Sequence, residues 1–264
     1  MNIKNRVNLG ILTYNRLDLT KQCIPNVRKT ASSNIPYQIT VVDNGSTDGS
    51  REYLKELLNQ GIINHLILLK ENIGVSKGSN LAWKSFDDIE IFAKIDNDVV
   101  FNKENWLDDI VHVLDNAPEI GALGYNCEGK NMYPVVDNQK VSYRHKGGNI
   151  GGACHFIPLH VKEKLGYWNE GFDLYGEEDA DYGMRIIFSG LRNAYMVDET
   201  VMDHLPEPQN EYTAFKAKQR HDNFCGLWDR IMGEYRDGRR PLKVETQVVN
   251  EVKERNLILF EGSL

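Results

Sequence analysis

Cysteine is scarce in this sequence and scattered where it occurs. Cys23, Cys127, Cys154 and Cys225 are the four in 264 residues, and no two form a C-x-x-C pair. That spacing argues against a disulfide framework and a thiolate zinc site, and the expectation is reduced thiols in the cytoplasm. Long apolar runs are missing too. No stretch approaches 18 uninterrupted apolar residues, and the opening MNIKNRVNLG has no apolar leader core, so neither a membrane span nor export is expected. Positive charge is in short supply: 31 Lys and Arg stand against 38 Asp and Glu, a formal net charge of −7. With that balance no nucleic-acid partner is expected, and a phosphate-bearing ligand must be met by local donors or a metal. Glycine is absent where it would be diagnostic. The turn after the first apolar run reads LTYNRLD, without G-x-G-x-x-G, which removes the dinucleotide-site reading.

What is present suffices for one sizeable core, with 41% hydrophobic and 26% charged residues. VNLGILTY (7–14), QITVVD (38–43), HLILLK (65–70) and IEIFAKI (89–95) read as buried strands. Helical segments fall between them: one from about Asp18 to Lys29 despite Pro25, the amphipathic REYLKELLNQ, and SKGSNLAWKSF. This alternation predicts β-α-β units, an α/β chain with a mostly parallel, Rossmann-like central sheet flanked by helices. Ligands of such sheets bind beyond the carboxyl ends of the strands, where Thr13, Asp43 and Asp96 fall.

Acidic side chains gather at two places. In FAKIDNDVVF an apolar strand delivers Asp96 and Asp98, spaced so that an extended chain would turn both to one side. Two like charges held together call for a cation or protons between them. In LYGEEDADYGMRI, Glu177, Glu178, Asp179 and Asp181 enter a predicted helix, where acids complement the macrodipole whatever else they do. Tyr167, Trp168, Phe172 and Tyr175 precede that run, and GGNIGGACHF supplies backbone that a ligand can approach closely. Aromatic faces beside carboxylates suit a sugar; they also suit a core, and Phe172 is read as core. Gly74 and Gly78 with Lys77, in NIGVSKGSN, offer a weaker nucleotide signal.

Taken in order, TYNR, VVDNGSTDGS, NIGVSKGSN, KIDNDV, GGACHF, GFDLYGEEDADYGMR and MDH resemble the family 2 glycosyltransferases of the GT-A fold over residues 6 to 206. The resemblance implies an inverting enzyme that uses a nucleotide-sugar donor, a UDP-sugar by preference, and a glycan or lipid-linked acceptor. It implies a nucleotide-binding part over about 6–100 and an acceptor-binding part over about 101–210. Thr13, Asn15, Asp43, Asn44, Asn72, Lys77, Asp96 and Asn97 would lie on the donor side, with Asp43 reading the base. Asp98, Asp96 and His204 would hold Mn²⁺ or Mg²⁺. Asp179 would be the catalytic base, with Glu178 one residue away as the alternative, and Gly151, Gly152 and Trp168 would face the acceptor. Lys77 stands where many relatives carry arginine, so bidentate phosphate contact is not expected from it.

Two other readings fit parts of the chain. KIDNDVV also matches the nucleophile motif of haloacid-dehalogenase-like phosphatases, although three strands precede it here; a non-catalytic sugar-nucleotide binding module could use the same scaffold. Residues 211–264 read as a C-terminal helical extension. Phe224, Leu227, Trp228, Ile231, Met232 and Tyr235 recur at helical spacing before the basic RDGRRPLK. A helix packed on the catalytic domain is the expectation, with a peripheral membrane contact as the functional alternative.

Overall fold

The strand β1 (Val7–Thr13) is buried on both faces, which places it inside a sheet with cover on each side. In the computed structural model, which describes residues 5–84, 88–125, 134–138, 141–206, 211–255 and 257–261, the expected alternation follows. After β1 come α1 (Leu17–Thr30), β2 (Tyr37–Asp43), α2 (Ser50–Asn59), β3 (His65–Leu69), α3 (Val75–Lys84) and β4 (Ile91–Asp96). Pro25 sits within α1 without ending it. The second half is more broken. It contains β5 (Val99–Phe101), α4 (Trp106–Asn116), β6 (Ile120–Tyr125), β7 (Val135–Asn138), β8 (Val141–Lys146), β9 (Cys154–Pro158), α5 (Leu159–Leu165), α6 (Glu178–Phe188), β10 (Arg192–Met196) and β11 (Met202–His204).

The main sheet has the order β12-β3-β2-β1-β4-β9-β6-β10-β8-β7, where β12 (Leu257–Glu261) comes from the C-terminal segment. β1, β2, β3, β4, β6, β10 and β7 run one way, while β9, β8 and β12 oppose them, so the sheet is mostly parallel as expected. β5 and β11 form a separate antiparallel pair, with His204 opposite Val99.

Aromatic side chains fill both layers. On one face Phe101 stacks on Trp106 with ring centroids 3.8 Å apart. On the other, Trp83, Trp168 and Tyr182 pack together, Trp83–Trp168 at 5.4 Å and Trp168–Tyr182 at 4.8 Å. Each such pair adds about 0.5–1.5 kcal/mol beyond the area it buries.

Residues 211–264 do not form a purely helical extension. α7 (Glu211–Asn223) passes through a π-helical turn at Phe224–Trp228 into α8 (Asp229–Arg236). Ile231, Met232 and Tyr235 of α8 pack with Phe172, which is core as expected. α9 (Val248–Arg255) sends Val248 and Val252 into the layer around Trp83. β12 then pairs antiparallel with β3, because the apolar LILF segment meets the open edge of a buried strand. The basic run carries matching acids: Arg239 pairs with Asp237 at 2.8 Å, Arg240 with Glu234 at 3.2 Å and Lys243 with Glu245 at 3.3 Å. Among the described residues no helix is long and apolar enough to cross a membrane.

Behind α6 lies a fully buried ion pair, Arg185 Nε to Asp181 Oδ2 at 2.7 Å. Arg185 also donates to the carbonyls of Leu165 and Tyr167 at 2.8 Å each, and Asp181 Oδ1 accepts from Asn169 Nδ2 and the Tyr235 hydroxyl. Removing one member of such a pair strands the other, at a cost of about 3–5 kcal/mol. Arg185→Met is therefore expected to lower unfolding free energy by that amount in urea titrations. A loss below about 1 kcal/mol would show that the pair does not anchor α6.

Candidate active site

Thr13 and Asp43 end the paired strands β1 and β2 and face each other in register. The Thr13 hydroxyl donates to Asp43 Oδ2 at 3.2 Å, while Asp43 Oδ1 accepts from the Ser46 amide at 3.0 Å and from Arg51 Nε at 3.3 Å. A buried carboxylate needs this saturation. Asn15 has a positive φ of 47° and accepts the Thr47 amide at 2.8 Å, which ties the first loop to the second. Asn44 and Asn72 do the same for the second and third loops: Asn44 Nδ2 donates to Asn72 Oδ1 at 2.7 Å, and Asn44 Oδ1 accepts the Ile73 amide at 2.9 Å. These side chains stand where the donor side is expected, and they staple its loops together.

Asp96 closes β4, but Asp98 lies in the turn that follows, so an extended i, i+2 strand is not what brings them together. The tight turn does so. Asn97, within it, is buried and donates to Thr20 Oγ1 at 2.9 Å, pinning the turn to α1. β11 supplies the third member: the Leu205 amide bonds to the Asp98 carbonyl at 2.7 Å, and His204 Nε2 lies 3.2 Å from Asp98 Oδ1. Asp96, Asp98 and His204 each offer a ligand atom within 4.8 Å of the others. Two carboxylates and an imidazole are a donor set that suits Mn²⁺, and the carboxylates alone suit Mg²⁺.

The protein's own cations meet these acids. Arg16 Nη1 is 2.7 Å from Asp98 Oδ2. Burial alone would raise the Asp98 pKa, yet the His204 hydrogen bond and the Arg16 charge hold it down at about 2. His204 is correspondingly raised, chiefly by its bond to Asp98 and against the opposing effect of burial. On the other side Lys94, buried in β4, places its ammonium 2.6 Å from Asp96 Oδ1 and 2.6 Å from the Gly152 carbonyl. Burial would push this lysine down, but Asp96, Glu178 and Asp179 outweigh it and keep it charged.

Gly152 links the two acidic groups. A Cβ placed there would meet Lys94 Nζ at 3.4 Å and Asp179 Oδ2 at 3.5 Å, so the base candidate and the Asp96 side converge on one glycine. Glu178 is buried and accepts the Gly176 amide at 2.8 Å; burial, then repulsion from Asp179, raises its pKa to about 7. Asp179 is half-buried and so is the one of the two within reach of solvent.

Four residues read as facing donor or acceptor make other contacts in the structure. Lys77 engages Glu251 of α9 at 3.0 Å. Gly78 gives room to Leu12, whose Cδ1 would lie 2.4 Å from an added Cβ, and Gly74 gives room to the Asp173 carbonyl, so these are packing glycines. Trp168, expected to face an acceptor, is fully buried against Trp83 and Tyr182, because its indole belongs to the core layer. Arg16 and Lys94 are the residues that motif reading passed over. Lys94 carried a signal: a lone charge inside an apolar strand, two residues before Asp96 and hence on its side.

The family model described as Glycosyl transferase family 2 matches residues 9–158. The chain belongs to glycosyl transferase family 2. Membership sets aside the phosphatase reading of KIDNDVV. The uncharacterized protein L138 of Acanthamoeba polyphaga mimivirus is 23% identical over 254 residues, 86% of this chain and 27% of that protein. Among solved structures, the mannosyltransferase PcManGT from Pyrobaculum calidifontis, in complex with GDP-Man and Mn2+, has a TM-score of 0.60 at 19% identity, covering 81% of this chain and 60% of its own. S. aureus TarS 1-349 in complex with UDP-GlcNAc has a TM-score of 0.59 at 15% identity, covering 79% and 61%. At these identities the likeness is one of fold, and this glycosyl transferase family 2 chain spans less than two thirds of each match.

A carboxyl whose pKa rises on folding binds its proton more tightly in the native state, so stability falls as pH climbs from the ordinary glutamate value through the folded one. Glu178→Gln removes that fall. The variant should match wild type near pH 4.5, gain on it as the pH rises toward 7, the pKa that Glu178 approaches when folded, and level off above it. Thermal unfolding across that range checks this; a constant difference between the proteins would show that Glu178 does not titrate with folding.

Proposed function

We propose that this family 2 chain is an inverting glycosyltransferase that moves a sugar from a nucleoside-diphosphate donor to a hydroxyl of a glycan or lipid-linked acceptor. One observation carries the reading: Asp179 and the Asp96–Asp98–His204 group flank Gly152 and Lys94 from two sides, leaving acid and cation chemistry on both sides of one point. Residues 1–210 act as the catalytic unit in this reading. Thr13, Asn15, Asp43, Asn44 and Asn72 shape the nucleoside end, with Asp43 facing the base. Lys77 is left out because it engages Glu251.

Asp98, Asp96 and His204 are the residues that would hold Mn²⁺ or Mg²⁺, and the ion when bound would neutralise the diphosphate as it departs. Arg16 and Lys94 already balance the same carboxylates, which fixes them in place for a donor. Asp179 is the base. It takes the proton of the acceptor hydroxyl as that oxygen bonds to the anomeric carbon; the bond from that carbon to the phosphate oxygen breaks on the opposite face, and its electron pair leaves with the nucleoside diphosphate. Glu178, with a pKa near neutrality, is the poorer base because it is buried and partly protonated. Positioned proton transfer of this kind contributes about 10²–10⁴ in rate.

Two substitutions test the assignment. Asp179→Asn should cut transfer by about 10²–10⁴ while nucleotide-sugar affinity, measured by calorimetry, stays near wild type. Full turnover in Asp179→Asn together with a dead Glu178→Gln would move the base by one residue. Asp98→Asn should weaken Mn²⁺ binding, and the Mn²⁺-dependent part of UDP or GDP binding, on the order of tenfold or more. Equal nucleotide affinity with and without EDTA in both proteins would end the metal assignment.

A further inference from the structure

Residues 147–153 join β8 to β9 and read GGNIGGA, four glycines in seven. Glycine loses more backbone freedom on ordering than any other residue, so the shape of such a segment has to be imposed by its neighbours. The shape matters, because the two acidic groups of the site meet at Gly152. Its carbonyl accepts from Lys94 Nζ at 2.6 Å, and a Cβ there would lie 3.5 Å from Asp179 Oδ2.

The neighbours come from β10, a strand that pairs with β6 and β8 and stands two places from β9 in the sheet. Asn193 and Tyr195 are two apart on it and project to the same face. Both are buried. Asn193 Nδ2 donates to the Gly148 carbonyl and to the Gly183 carbonyl of α6, at 2.9 Å each, which ties the start of the segment to that helix. α6 lies tight against the segment at the same place, since a Cβ on Gly183 would come within 2.5 Å of Asn149 Cβ. Gly183 is four residues after Asp179 and on the same helix face, so this contact sets Asp179 one turn away, beside Gly152. Tyr195 holds the other end of the segment. Its hydroxyl accepts the Gly151 amide at 2.6 Å, and Ile150 packs in the same core layer as its ring. Lys146 Nζ lies 5.2 Å from the ring centroid, a cation–π contact that steadies the ring carrying the hydroxyl.

We propose that Tyr195 is a positioning residue for the transfer reaction: by fixing the Gly151 amide it aims the Gly152 carbonyl at Lys94, and so holds the ammonium in place between Asp96 and Asp179. Tyr195 acts through the backbone of the glycine pair. The inference rests on the glycosyltransferase reading above and adds to it a residue from a strand away from the donor side.

Tyr195→Phe keeps the ring and removes only the acceptor. Tyr143→Phe, which takes a buried hydroxyl from neighbouring β8, is the control for lost stability. The Lys94 ammonium can be read in ¹H–¹⁵N spectra of the lysine side chains of the metal-free full chain, identified by its nuclear Overhauser contact with the Gly152 α-protons. In Tyr195→Phe that signal should shift, and its protons should exchange with water about tenfold faster than in wild type. In Tyr143→Phe it should stay as in wild type. The second readout is release of UDP or GDP from a panel of UDP- and GDP-sugars with Mn²⁺, water serving as acceptor. Tyr195→Phe should lower kcat by about ten- to a hundredfold, the scale of a misplaced catalytic group, with donor KM and nucleotide affinity unchanged. An unmoved Lys94 signal in Tyr195→Phe, a wild-type kcat in that variant, or equal effects from Tyr143→Phe would each overturn the proposal. So would a fall in kcat matched by an equal loss of nucleotide affinity, the mark of general loosening. Wild type that binds no UDP or GDP, or releases none from any donor, would instead remove the glycosyltransferase reading, while the Lys94 signal would still decide what Tyr195 holds.

Discussion

Three carboxylates, Asp96, Glu178 and Asp179, converge at the carboxyl end of this sheet, and the ammonium of Lys94 is what allows them to. Burying a lysine inside a strand costs several kcal/mol unless its charge is met. Here Asp96 and the Gly152 carbonyl meet it directly, with Glu178 and Asp179 adding their field. The requirement runs both ways. Without the ammonium, Asp96 and Asp179 would repel one another across a glycine; without the acids, the lysine would sit neutral or leave the strand. The antiparallel pairing of β4 with β9 places Gly152 next to Lys94, and Asp179 of α6 comes within van der Waals reach of the same residue.

α6 answers to two environments at once. Its first turn carries Glu178 and Asp179 toward the site, while Asp181 of the same turn and Arg185 of the next lock into the core. Arg185 reaches the carbonyls of Leu165 and Tyr167, and Tyr235 of α8 closes the network on Asp181. The acidic run in the sequence thus serves two ends. Its outer acids gain from the helix dipole and from Lys94, while its inner acid is structural, held without solvent by a partner four residues on.

The parallel half of the fold was legible because a strand buried on both faces leaves an unbroken apolar run, as β1 to β4 do. β8 and β11 left no such trace. VSYRHK is largely polar and half-buried, and the three residues of β11 are held by pairing with β5 more than by their own preference. In the site, Asp96, Asp98 and His204 could be singled out by motif order and do come together. The spacing argument for the two aspartates reached the right neighbourhood by the wrong geometry, since a turn does the work assigned to a strand. The ion pair of Lys77 left no trace in the sequence, because its partner, Glu251, lies 174 residues away. Trp168 shows the general difficulty with aromatics: the same side chain suits a sugar face and a core layer, and only its neighbours Trp83 and Tyr182 decide.

The pairing of β12 with β3 also sets the order in which the sheet can be completed. β3 is laid down early among the parallel strands, yet one of its edges receives its partner only from the far end of the described chain. Contacts of such long sequence separation form late, since the chain must first lose the entropy of closing a large loop. During that interval a buried, apolar strand presents an open row of amides and carbonyls, the arrangement most prone to recruit a strand from another molecule. Once in place, the segment that seals the edge removes that site of association, and α9, packed on α3 just before it, brings the strand alongside β3.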